Sequence, residues 1–298
     1  MSDVSKRSFP VTHYRSVCVE GVNIFYRDSG PRDAPVVLLL HGFPTSSHMF
    51  RFLIPALADR YRVIAPDYPG FGQSAMPARE AQAYTFDWFA QVFRGLLDQL
   101  DVDRYAMYVM DFGAPVGWRL ALADPEHITA LIIQNGNGYE EGLGDFWNPV
   151  RAYWADGTEA SRAPLSKVMT LESTLFQYTA GVRDVSRISP DNWAHDQPLL
   201  DRPGNLEIQL DLLYDYRTNP PLYPKVQAWL RELQPPAILV WGKNDPFFIE
   251  PGAHAYKRDL KDLEFHLLDS GHFVLEDQPD VAFPLIRDFL DRKLRRGA

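Results

Sequence analysis

The chain has 298 residues, 46% of them hydrophobic, and a formal net charge of −9. That charge argues against broad binding to nucleic acid or anionic membranes, and the lone cysteine, Cys18, excludes a disulfide within the chain and fits a reducing cytosol. No apolar run approaches the roughly 20 residues that span a bilayer, and the polar start, Met1 to Arg7, lacks a signal-peptide core, so a cytoplasmic protein is expected.

In chain order, strands are predicted near 14–19, 22–28, 35–41, 61–66, 104–110, 128–134, 236–242 and 263–269. The first two read as an antiparallel edge pair turning at Glu20-Gly21. From Ser47 onward helices alternate with the strands. Thr85 to Leu100 is one, with Phe86, Phe89, Ala90, Phe93, Leu96, Leu97 and Leu100 on a single stripe. Such alternation implies an α/β fold with a mostly parallel eight-stranded sheet and helices on both faces.

The alternation breaks between about Gly136 and Tyr223. That stretch reads as helix and loop, with many prolines and aromatics. It is predicted to be a helical cap, 136–223, inserted after strand 6 into a core made of 1–135 and 224–298.

Four motifs each follow a predicted strand. His41-Gly42-Phe43-Pro44 follows Val36 to Leu40, and its Phe43-Pro44 bond is a candidate cis peptide. Asp111 follows Tyr105 to Met110 and precedes the helix-like Ala114 to Leu122, so it occupies the tip of a strand-turn-helix elbow. Asp245 follows Ala237 to Trp241, and His272 follows Phe265 to Leu268.

A carboxylate at the elbow tip narrows the chemistry. It is ionised near neutral pH, with a reference pKa of roughly 3.9, and it suits displacement of a leaving group from saturated carbon. The product is an enzyme ester, which a base-activated water can hydrolyse. His272 is the expected base and Asp245 its orienting carboxylate. The N–H groups of Phe43 and Phe112 are the expected oxyanion hole. No cysteine or histidine cluster suggests a metal, and no cofactor is expected.

These motifs resemble the α/β-hydrolase superfamily, within it the epoxide hydrolase and haloalkane dehalogenase branch. The order Asp111, Asp245, His272 matches its scheme. Ile64-Ala65-Pro66-Asp67-Tyr68-Pro69-Gly70-Phe71-Gly72-Gln73-Ser74 resembles its glycine-rich segment after strand 4. The resemblance covers nearly the whole chain. It implies two cap tyrosines that donate to an epoxide oxygen. Tyr216 resembles the second, and Tyr178 is the choice for the first, with Tyr153 as rival.

The same resemblance separates two activities. Dehalogenases of this branch usually carry Trp after the nucleophile, and many carry Asn in the third position of the His-Gly turn. Here Phe112 and Phe43 stand in those places, although Thr45-Ser46-Ser47 resembles the dehalogenase turn. Epoxide hydrolysis is therefore expected, with haloalkane dehalogenation as the alternative and a non-catalytic ligand receptor as a third reading. The expected partners are water and a small apolar or aromatic molecule. Its pocket is expected to include His41, Pro44, Trp147, Tyr153 and Trp154. Homodimer formation is left open.

Overall fold

The structure, a computed structural model, describes residues 10–294. The start discussed above, Met1 to Arg7, lies outside the described residues. Eight strands form one sheet: β1 (Thr12–Val19), β2 (Val22–Ser29), β3 (Val36–Leu40), β4 (Arg62–Pro66), β5 (Tyr105–Met110), β6 (Ile128–Gln134), β7 (Ala237–Gly242) and β8 (Leu263–Leu268). Their spatial order is β1-β2-β4-β3-β5-β6-β7-β8. β2 pairs antiparallel with β1 and with β4, and every later pairing is parallel. Glu20 and Gly21 both have positive φ, 49° and 83°, the requirement of a tight two-residue hairpin.

Among the described residues, twelve α-helices accompany the sheet: α1 (Leu53–Leu57), α2 (Phe86–Gln99), α3 (Gly113–Ala123), α4 (Asn148–Asp156), α5 (Glu159–Arg162), α6 (Leu171–Thr179), α7 (Asp191–Leu200), α8 (Asn205–Asp215), α9 (Tyr223–Leu233), α10 (Glu250–Ala255), α11 (Val274–Asp277) and α12 (Pro279–Leu294). Strand side chains alternate between two apolar layers. Leu38, Met107, Val109, Leu131 and Leu239 face α2, α3 and α9. Val37, Ala106, Tyr108, Ile132 and Ile238 face α1, α11 and α12. The central strands are buried on both faces, which is why they read as continuous apolar runs. Thr85 starts α2, its side chain accepting from the Trp88 N–H at 3.1 Å.

The chain leaves the sheet after β6 and returns at β7. Helices α4 to α8 lie in that excursion, and α9 begins at Tyr223 and packs on α3. The excursion is tied to the sheet layers by polar bonds. Arg119 of α3 donates to Asn219 Oδ1 (2.7 Å) and Thr218 Oγ1 (2.8 Å). Arg202 donates to the Gly70 carbonyl at 2.6 Å. Arg51 bridges Glu276 (2.7 Å) and Asn192 (2.9 Å). Among the described residues, no helix is long and apolar enough to cross a membrane.

One tie is buried and titratable. Asp196 of α7 accepts from the Tyr178 hydroxyl at 2.5 Å and from Thr45 Oγ1 at 3.3 Å. Burial pushes its carboxyl up to about 7, against the pull of those two hydrogen bonds. An unfolded Asp titrates near roughly 3.9. Between these values the folded chain holds a proton that the unfolded chain has lost. The stability Asp196 contributes is therefore full below about pH 4 and falls until about pH 7. Asp196→Asn cannot ionise, so its stability relative to wild type should rise across that window and level off above it. Urea midpoints of both proteins at pH 4.5, 6 and 8 check this. A difference that is flat with pH contradicts it.

Candidate active site

Five loops at the carboxyl ends of β3, β5, β6, β7 and β8 converge on one point. β5 stops at Met110, and Asp111 follows with φ of 49°. A non-glycine residue there is uncommon and strained. The turn is cramped on both sides. A Cβ at Gly42 would collide with the Asp111 side chain, and a Cβ at Gly113 would collide with the Leu40 carbonyl. Glycine at these two places lets the turn after β3 and the start of α3 close around Asp111.

The carboxylate is buried and its two oxygens have different surroundings. Oδ1 accepts from the Phe43 N–H at 2.6 Å. Oδ2 faces His272 Nε2 at 4.0 Å. Burial raises the Asp111 pKa, and the nearby His272, the Phe43 N–H and the Phe112 N–H pull it back down. The Phe43-Pro44 peptide is cis, as the sequence suggested.

His272 sits four residues beyond β8, and its carbonyl accepts from the Gln134 amide at 2.9 Å. Its Nδ1 lies 2.7 Å from Asp245 Oδ2. A carboxylate at Asp245 can only accept, so Nδ1 carries a proton, and the neutral form of His272 presents a free Nε2 towards Asp111. Asp245 is itself fixed by the Phe247 N–H (2.7 Å) and by Asn135 Nδ2 (2.8 Å).

Asn135 was not anticipated from the sequence. It follows β6 directly, at φ of 42°. Its side chain accepts from the Gly242 N–H at 2.9 Å, and its carbonyl accepts from the Asp111 N–H at 3.3 Å. One residue thus braces the elbow and the Asp245 loop together. The available signal was its place: like Asp111 and Asp245, it is a short polar residue at a strand's carboxyl end.

A cavity opens on Asp111 and His272. Its walls are Phe43, Phe112, Phe146, Trp147, Val168, Ser173, Gln177, Gln209, Leu213 and Phe247. Its volume is about 40 Å³, space for a few waters or a small molecule. Among the described residues, no group of three His, Cys, Asp or Glu side chains could hold a metal ion.

Several expected wall residues lie elsewhere. Trp147 does line the cavity, with its indole N–H given to the Phe247 carbonyl at 2.8 Å. His41 does not. It is fully buried under the turn, accepts from the Tyr68 N–H at 3.3 Å through Nε2, and so donates from Nδ1 to the Gly42 carbonyl at 2.9 Å. Burial drives its pKa down to about 4, so it stays neutral. Pro44 is buried beside it, outside the cavity. Tyr153 packs on Tyr214 at 4.7 Å, and Trp154 stacks on Tyr216 at 5.9 Å. Neither reaches the cavity.

The two expected donor tyrosines also differ from expectation. Tyr178 stacks on Phe273 at 4.2 Å and spends its hydroxyl on Asp196. It is one residue from Gln177, and that step of about 100° around α6 turns it away from the cavity. Tyr216 packs behind two cavity walls, Trp147 (4.4 Å) and Phe112 (6.2 Å). Its buried hydroxyl lies against the Tyr223 hydroxyl, outside the cavity.

A parallel sheet carrying a strand-turn-helix elbow, with a carboxylate, a histidine and a second carboxylate at its strand ends, defines a hydrolase scaffold. The chain belongs to the α/β-hydrolase fold family, whose model matches residues 35–279. It is 43% identical to an uncharacterized hydrolase of Saccharomyces cerevisiae over 261 residues, 86% of this chain and 89% of that one. It is 32% identical to haloalkane dehalogenase 2 of Mycobacterium bovis over 286 residues, 89% and 91% of the two chains. The solved structure of the epoxide hydrolase CorEH without ligand superposes with a TM-score of 0.76 at 23% identity, covering 96% of this chain and all 100% of that one.

The His272 environment makes a measurable statement. Burial alone lowers its pKa, but the Asp245 charge and hydrogen bond, with the Asp111 charge, carry it upward overall. Asp245→Asn removes the main support, so the imidazole should titrate at lower pH than in wild type. Nitrogen-detected NMR of labelled histidine reads both titrations without any substrate. An unchanged His272 titration would contradict the electrostatic assignment.

Proposed function

We propose that this hydrolase opens epoxides to vicinal diols through an ester on Asp111, on small, largely apolar substrates held under a helical cap formed by 136–223. The observation that carries this reading is the unequal pair of Asp111 oxygens. Oδ1 is held by the Phe43 N–H, and Oδ2 is left facing the cavity and His272 Nε2.

In the first step Oδ2 attacks a ring carbon. The new bond is C–Oδ2, the bond that breaks is C–O of the ring, and the electron pair goes to the ring oxygen. That oxygen needs a proton or a hydrogen bond. Tyr178 is committed to Asp196 and is withdrawn from this role. Tyr216 remains, because its hydroxyl faces that of Tyr223 rather than a carboxylate and its ring rests on two cavity walls. A shift of Trp147 would bring it to the substrate. Gln177, which lines the cavity, supplies an amide N–H as well.

In the second step water attacks Cγ of Asp111 while His272 Nε2 takes its proton. Negative charge gathers on Oδ1, which the Phe43 N–H already meets, with the Phe112 N–H beside the carboxyl group. Collapse breaks Cγ–Oδ2, so Oδ2 leaves with the substrate carbon and takes the proton that His272 returns. The water oxygen stays on Cγ, and its remaining proton passes back to the group that protonated the ring oxygen, which restores the carboxylate. The protonated histidine is stabilised by Asp245.

Dehalogenation is the second reading, and the cavity favours it in one respect. Two of its polar side chains, Ser173 and Gln177, can donate to a halide, which needs no proton. The relative 32% identical to this chain is named a haloalkane dehalogenase. Against it, the Trp147 indole is already bonded to Phe247, and Phe43 and Phe112 bring no side-chain donor.

His272→Gln should alkylate and then stall. Incubation with a series of small epoxides and haloalkanes, followed by intact-protein mass spectrometry, should show an adduct of substrate mass with an epoxide. Wild type on the same series should release diol. Halide release with no diol moves the assignment to dehalogenation. A His272→Gln protein that binds substrate but neither turns over nor gains mass rejects the ester mechanism.

A further inference from the structure

One wall of the cavity is built to recognise more than apolar surface. Gln209 of α8 lines it, one helical turn before Leu213, and is almost fully buried. Its amide orientation is fixed by a chain of bonds that begins at a backbone carbonyl. The Leu199 carbonyl can only accept, and it takes the Asn205 Nδ2 proton at 3.0 Å. Asn205 Oδ1 is therefore the atom turned to Gln209, and it accepts from Gln209 Nε2 at 3.2 Å. Turning the Gln209 amide over would set two oxygens against each other. Gln209 Oε1 is thus the free end, fully buried, with no protein donor at hydrogen-bond distance.

A buried acceptor without a donor is destabilising, because it has given up its water without gaining a partner. The cavity offers none from its own walls to this atom. Ser173 and Gln177, which share a face of α6 at i and i+4 spacing, add two more polar groups to the cap side. The other walls are mostly aromatic or aliphatic. The only charged or titratable side chains lining the cavity are Asp111 and His272, so the site has no counter-ion to spare for a cationic substrate.

We propose that Gln209 Oε1 accepts a hydrogen bond from the substrate, and that the preferred substrates are neutral molecules carrying a hydroxyl or amide N–H away from the reacting carbon. This deepens the reading above and rests on it for the reacting end only. Gln209 is a specificity-determining residue in this view. It discriminates because a substrate without a donor leaves its oxygen buried and unpaired.

The test has one arm that needs no chemistry. Pentan-1-ol and butyl methyl ether are isomers of equal heavy-atom count, and only the alcohol has a donor. Wild type should bind the alcohol about tenfold more tightly or better, read by competition with a fluorescent apolar probe or by shift of Tm. Gln209→Met, unbranched and close in volume, should bind the two alike. Asn205→Leu releases the Gln209 amide to turn over, and should also lose the alcohol preference, which keeps the inference testable should the Met variant fold poorly. The second arm compares turnover of 4,5-epoxypentan-1-ol with its isomer 4-methoxy-1,2-epoxybutane, and of the corresponding bromides. The kcat/KM ratio should favour the alcohols in wild type and fall towards one in Gln209→Met. Equal binding of the isomers by wild type, or a preference that survives in folded Gln209→Met, overturns the inference. An intact alcohol preference in binding with no turnover of any epoxide or bromide would overturn the reaction proposed above and leave the Gln209 inference standing.

Discussion

The burial of a carboxylate with no lysine or arginine beside it is the constraint on which this structure turns. Asp111 lies under the excursion between β6 and β7, where an unpaired charge is expensive. Backbone N–H groups at Phe43 and Phe112 and the His272 ring are what hold it. Each of these comes from a different strand end. Their convergence depends on the sheet order, which sets β3, β5 and β6 side by side with β7 and β8 beyond. The short polar residues at those ends are bonded to one another as well as to the centre. Asn135 joins the elbow to the β7 loop, and Gln134 reaches the β8 loop. Loss of any one strand end would loosen the others.

The same burial limits what the cavity can do with a leaving group. The tryptophan indoles near it are spent on backbone carbonyls, Trp147 on Phe247 and Trp154 on Leu213. The phenol of Tyr178 is spent on tying α6 and α7 to the turn after β3 through Asp196 and Thr45. The Tyr216 hydroxyl faces that of Tyr223 and is tied to no carboxylate. A cavity whose polar groups are amides and one serine hydroxyl suits either a weakly basic leaving group or one helped by a single moving phenol. That balance is why epoxide opening and halide loss remain adjacent chemistries on this scaffold.

All eight strands were legible because their periodicity is imposed by burial. Central strands covered on both faces must be apolar throughout, and the Glu20-Gly21 turn must tolerate positive φ. The strand-end residues Asp111, Asp245 and His272 were legible for the same reason, since a polar residue directly after an apolar strand stands out. Helices α6 and α8 were not legible at the level of faces. Both bury more than one side, so nothing in the pattern told which side meets the cavity. Gln177 and Tyr178 are neighbours in sequence, yet one faces the cavity and the other faces Asp196. At the β3 turn the same shift occurs, with Phe43 in the wall and His41 and Pro44 beneath it. Asn135 was missed because its work is done through two backbone contacts and a second residue, which composition does not reveal.

Repeated turnover in heavy-oxygen water tests the central claim most directly. A limiting amount of wild-type enzyme is cycled on a reactive epoxide or haloalkane, digested, and the peptide 105–119, which carries Asp111, is weighed. An ester on Asp111 opened by water at Cγ leaves a solvent oxygen in the carboxylate at each cycle, so the expected result is a heavy peptide with the label on Asp111. Label in the product alone after many turnovers, with Asp111 unlabelled, would mean that water attacks the substrate directly and would contradict the ester.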